Sequence, residues 1–88
     1  MAWTVEFIPE AARQLGKLDR TAAARITRYL QHMVSSCSHP RQRGKALTAN
    51  LSGPWRYRVG DDRVICQIED ERLVVLVVGL SHRSDTYH

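Results

Sequence analysis

The alternation of apolar and polar positions divides the chain into a strand, two helices and three further strands. Trp3 to Ile8, WTVEFI, holds strand-type residues in partial alternation and predicts a first strand. Pro9 suits the first turn of a helix, and Glu10 lies near the positive end of that helix's dipole. Ala11, Leu15 and Leu18 keep helical spacing, with Gly16 weakening the segment. Asp19 stands where a second helix needs its N-cap. Beyond it Ala23, Ile26, Leu30, Met33, Val34 and Cys37 recur at steps of three and four, an amphipathic stripe. Arg20, Arg25 and Arg28 mostly fall off that stripe.

The period then changes. Ser35 to Pro54 is loop-like, with Lys45, Ala46 and Leu47 as a short ordered stretch inside it. Trp55 to Val59, WRYRV, alternates large apolar with basic residues and predicts a strand with one core face. A strand from Asp62 or Arg63 to Ile68 follows, then a tight polar turn, EDER, from Glu69 to Arg72. Leu73 to Gly79 is apolar on both faces, which places that strand inside the sheet. The order β-α-α-β-β-β predicts an α+β fold, a helical hairpin packed on one face of a small, mainly antiparallel sheet. With 88 residues there is one such domain, residues 1–88, and not two.

Composition adds exclusions. MAWTVEFIPE lacks the basic-then-apolar order of a secretion signal. The longest apolar run, Leu73 to Leu80, falls far short of the roughly 20 residues of a membrane-spanning helix. A cytoplasmic protein with no membrane partner is expected. Cys37 and Cys66 sit at core-like positions outside any CxxC or Cys/His spacing, and predict two buried free thiols in a reducing compartment. His32, His39, His82 and His88 have no ligand spacing with Cys, Asp or Glu, so no metal and no cofactor is expected.

The net charge is +4, and its distribution says more than its size. No acidic residue lies between Asp19 and Asp61, a stretch that holds seven arginines and Lys45. Such a stretch fits an anionic partner: RNA, DNA or an acidic protein. A two-residue Gly60-Asp61 loop of type II′ pairs Arg58 with Arg63, and a four-residue loop from Val59 to Asp62 keeps that pair. Arg56 joins them by period two. Like charges facing each other destabilise a sheet by up to about 1 kcal/mol, so folding alone does not call for three arginines on one face. An anion between them does; a solvated face kept soluble by its charges is the plain alternative. The tail SHRSDTYH then brings His82, Arg83, Tyr87 and His88 just after the central strand. Histidine titrates near neutrality, and tyrosine stacks on a base or exchanges a proton.

Together these stretches resemble the RelE/ParE toxin superfamily, and within it the RelE-type ribosome-dependent mRNA endonucleases. The carriers are Lys45-Ala46-Leu47, Leu51-Ser52-Gly53, the strand Trp55 to Val59, the turn Gly60 to Arg63, the Val-rich strand from Leu73, and the ending His82-Arg83 to Tyr87. The resemblance implies a toxin neutralised by a RelB-type antitoxin protein, with ribosome and mRNA as targets and DNA reached only through the antitoxin. It implies a basic concave sheet face and metal-independent cleavage of mRNA. Arg56 and Arg58 fall where relatives carry basic catalytic residues, often lysines, and Arg63 where an arginine binds the scissile phosphate. His82, Arg83 and Tyr87 match the C-terminal motif, Lys45 the basic loop residue, and Arg41 and Arg43 extend the RNA-binding surface. The chain departs from the pattern at Ser81, where relatives carry an arginine, and at Asp62, where many carry an aromatic.

Metal-free cleavage needs the ribose 2′-OH to lose its proton, the phosphorus to gain charge, and the 5′-oxygen to be protonated as it leaves. Arginines suit the second task and not the first, because they stay protonated at working pH. His82 and Tyr87 are the candidate acid and base, with Lys45 behind them. Two other readings remain open at the level of sequence: a ParE-like DNA gyrase inhibitor, and a non-catalytic basic RNA-binding module.

Overall fold

In the computed structural model, which describes residues 3 to 81 in full and His82 by its backbone, the chain builds a five-stranded sheet and a helical hairpin. β1 (Thr4–Phe7) leads into α1 (Pro9–Lys17) and α2 (Arg20–Ser36). A 3-10 turn at Pro40–Gln42 precedes the two-residue β2 (Lys45–Ala46). β3 (Trp55–Val59), β4 (Asp62–Glu69) and β5 (Val74–His82) complete the sheet. Across it the order is β1-β5-β4-β3-β2, with β1 parallel to β5 and the other neighbours antiparallel. The apolar segment after Leu73 is therefore an interior strand, as its two apolar faces require. No helix among the described residues is long and apolar enough to cross a membrane.

One face of the sheet is covered by the hairpin. Ile26, Leu30 and Met33 of α2 pack with Tyr57, Val64, Cys66, Val75 and Val77. Burial alternates along β3 as WRYRV predicts, with Trp55, Tyr57 and Val59 inside. The two β3 aromatics also tie down the loop before β2. Tyr57 Oη donates to Pro40 O at 2.8 Å, and Trp55 Nε1 donates to Arg43 O at 2.7 Å. Gly44 completes that contact. Its φ is 76°, and a Cβ there would run into Arg56 O and the rings of Trp55 and Tyr57, so no other residue fits without moving backbone.

Several elements differ from the sequence expectation. Asp19 does sit at the N-cap of α2, yet its side chain makes no capping bond. β5 begins at Val74 rather than Leu73, because Leu73 takes a left-handed φ of 55° in the turn. The same strand runs on to His82, and its register with β4 slips once: Cys66 faces Val77 but Ile65 faces Gly79, leaving Val78 as an extra residue. A bulge of this kind reverses which face later residues occupy. Leu80 thus pairs with Val64 on the helix side, and Ser81 with Arg63 on the other. Of the two free thiols, Cys66 is fully buried, whereas Cys37 is half-buried and its sulfur accepts a bond from Arg43 Nε at 3.4 Å.

Burial pushes the Cys66 thiol up to about 12 from 9.0, and raises the Tyr57 hydroxyl as well. Both groups are neutral in the folded state and ionise sooner once unfolded. Their contribution is therefore intact below about pH 9 and is lost as pH climbs toward 12. The urea midpoint should fall steadily above pH 9. Cys66→Ala, less stable at pH 7, should show a shallower fall; an equal slope in both proteins would refute the assignment.

Candidate nucleic-acid interface

The β3–β4 hairpin closes through Gly60 and Asp61. Gly60 has φ 63° and Asp61 does not have a positive φ, the pattern of a type II′ turn. That turn fixes the pairs Arg58–Arg63 and Arg56–Ile65, and β2 sets Lys45 opposite Arg56. Facing residues share a face. Lys45, Arg56, Arg58 and Arg63 therefore occupy the sheet face turned away from the helices, with Ser81 beyond Arg63. None of the four cations joins an ion pair among the described residues. Arg63 is partly buried, and its Nε is buried with no hydrogen-bond partner among the described residues. An unmet buried donor is costly, and the fold gains nothing visible in return. Planar guanidinium forks in this arrangement suit a phosphate.

Between this face and α2 lies a cleft of about 350 Å³ lined by Tyr29, Gly44, Lys45, Arg56 and Arg58. Tyr29 escaped the sequence reading. It stands beside the apolar stripe of α2, and its only signal is an aromatic next to Arg28. Its ring packs at 6.1 Å from that of buried Tyr57, and burial raises its hydroxyl above the usual tyrosine range. A hydroxyl so shifted is a hydrogen-bond donor at neutral pH and unfit as a base.

Arg41 and Arg43 are not brought to the arginine face. Arg41 Nη1 donates to both oxygens of Asp70, at 3.0 and 2.9 Å, and its Nε donates to Leu51 O at 3.1 Å. Its guanidinium also lies 5.9 Å from the centre of the Trp55 ring. His39 and Arg41 together hold the Asp70 carboxyl below its ordinary range, His39 being the larger cause. The reason is local. Trp55 points to the helix side, so the loop that packs on it ends there too, against the β4–β5 turn. Arg43 is engaged with Cys37 and lines a smaller cleft, about 130 Å³, with Tyr29 and His32. The backbone of His82 stands opposite Asp62. The His82 side chain, Arg83 and Tyr87 lie outside the described residues.

The sequence family described as the ParE toxin of type II toxin-antitoxin system, parDE, matches residues 5–87. The chain belongs to that family. Toxin RelG of Mycobacterium tuberculosis is 32% identical to it over 87 residues, 99% of this chain and 98% of RelG. A chain of the toxin-antitoxin complex RelBE2 from the same organism superposes with a TM-score of 0.79 at 28% identity, covering 94% of this chain and 100% of its own. A mutant of the E. coli toxin RelE in the free state shares the fold at 18% identity, with a TM-score of 0.75 over 98% of this chain and 88% of that one. The protein is thus a type II toxin of the RelE/ParE superfamily, with the RelE-like α+β fold.

This toxin keeps a repulsive pair that its fold does not need. Arg58→Gln should raise stability by about a few tenths of a kcal/mol at low ionic strength. The gain should vanish near 1 M salt, where screening acts within about 3 Å. Urea titrations at both salt levels check this, and a loss of stability at low salt would show that the pair is not repulsive.

Proposed function

We propose that this toxin is a metal-independent endoribonuclease that cuts mRNA on the ribosome and blocks translation, and that a RelB-type antitoxin protein neutralises it. The observation that carries the reading is the Arg58–Arg63 pair, set by the turn beside Arg56 and Lys45 on an open sheet face. Likeness to RelG and to the toxin of the RelBE2 complex supports the same branch and the same kind of partner.

In this mechanism the scissile phosphate lies across Arg58 and Arg63, with Arg56 and Lys45 holding the neighbouring backbone and Arg83 adding charge from the tail. The 2′-oxygen attacks phosphorus and forms a cyclic phosphate as the bond to the 5′-oxygen breaks. A base takes the 2′ proton and an acid supplies one to the leaving oxygen. The fixed guanidiniums stabilise the charge that develops on the phosphoryl oxygens without reorganising. They do not move protons. His82 and Tyr87 carry that task.

The matched family's description favours a second reading, a gyrase inhibitor of the ParE kind. Toe-printing of translated mRNA with purified toxin separates the two. Cuts within codons on ribosomes are expected; inhibition of DNA supercoiling without cuts would replace the ribonuclease reading with the gyrase one. If neither occurs, the protein is a binding module.

Arg63→Ala should slow single-turnover cleavage by about 100-fold or more while ribosome binding changes only a few-fold. Equal losses in rate and binding would remove the transition-state role. Tyr87→Phe and His82→Ala should each slow the same step; full rates in both would move proton transfer out of the tail.

A further inference from the structure

The cations of this toxin do not stop at the sheet face. Arg25, Arg28 and His32 lie three and four residues apart, on one face of α2. A cleft of about 430 Å³ is lined by Arg25, Arg28 and Arg58 together with Tyr29 and the Gly60 turn. Arg25 reaches over that turn, its Nη1 standing 3.0 Å from where a Cβ on Gly60 would be. Helix cations and sheet cations thus meet across the hairpin.

Tyr29 is the shared wall. It lines the Lys45–Arg56–Arg58 cleft, the His32–Arg43 cleft and the Arg25–Arg28–Arg58 cleft, and no Asp or Glu lines any of the three among the described residues. Its ring is backed by Tyr57, which is fully buried, so the exposed part is rigidly presented. An aromatic platform flanked by cations is how proteins hold single-stranded nucleic acid: bases stack on the ring, phosphates follow the charges, and sequence matters little. An acidic peptide would answer the cations but gives no reason for a braced aromatic in their midst.

We propose that the flank between α2 and β3 is a single-stranded RNA groove in which a nucleobase stacks on Tyr29, with flanking phosphates on Arg25 and Arg28 to one side and on Lys45 and Arg56 to the other. The groove carries the strand past the cleavage point and gives the toxin a grip on RNA outside the reacting phosphate. It rests on the ribonuclease reading for the identity of its ligand.

The test is fluorescence anisotropy with a 12-nucleotide 2′-O-methyl RNA, which cannot be cleaved, across a salt series, with thermal melts of every variant. Tyr29→Leu should weaken binding by about tenfold at unchanged salt slope, and Tyr29→Phe should restore it. Arg25→Gln with Arg28→Gln should lower the slope of log affinity against log salt by about 1.4, near 0.7 for each lost phosphate contact on a single strand. Wild-type binding by Tyr29→Leu at a native melting temperature overturns the proposal, as does an unchanged slope in the double arginine variant. If the variants bind RNA normally and lose the antitoxin instead, the flank is an antitoxin surface and the proposal fails. Wild-type toxin that cuts mRNA on ribosomes but does not bind this RNA refutes the groove alone. Toxin that does neither refutes the ribonuclease reading with it.

Discussion

Arg58 and Arg63 stand opposite each other because Gly60 and Asp61 are the whole of the turn between them. A strand has only two faces, so one turn length settles the side of every residue that follows. With this turn, Tyr57 and Val64 enter the core together, and four cations are left on the outer face. A loop one residue longer would set the core residues of one strand against the charged residues of the other. Core and charged face therefore have a common origin in the hairpin, and neither can be shifted without the other.

The helical side serves the charged side indirectly. Trp55 and Tyr57 each combine a buried ring with one polar atom, and those atoms fasten the loop from Pro40 to Arg43. That loop delivers Gly44, which has room only for a hydrogen, and then Lys45 next to Arg56. The Arg41–Asp70–His39 cluster secures the other end of the loop against the β4–β5 turn. Such exposed pairs are individually weak, so their effect is to set position more than to stabilise.

What could be read from the chain followed from local rules. WRYRV alternates, Gly-Asp is a two-residue turn, and the run after Leu73 is apolar throughout, so the meander and the arginine pair are legible without coordinates. The helical stripe is equally plain. The remainder depends on contacts distant in sequence. Nothing near Arg41 announces that Asp70, 29 residues on, will take its guanidinium. Tyr29 looks like an ordinary residue at the border of a stripe until the sheet edge is folded against it. Cys37 stays partly exposed because the chain leaves the helix there. The residues that would move protons fall largely in the tail, where chemical type alone supports their assignment.

Val78 has a consequence for how such a toxin can change over generations. Being one residue out of step, it sets the phase of everything after it in β5. Loss of its codon would remove one valine and leave a regular ladder, with Leu80 still opposite Val64 and Ser81 still opposite Arg63. Only a strand of the present length paired without the bulge would make Leu80 trade sides with Ser81, sending an alkyl group among the arginines and a hydroxyl under the helices. Lineages of the toxin that keep this residue and lineages that shed it should therefore present the same surface beyond it.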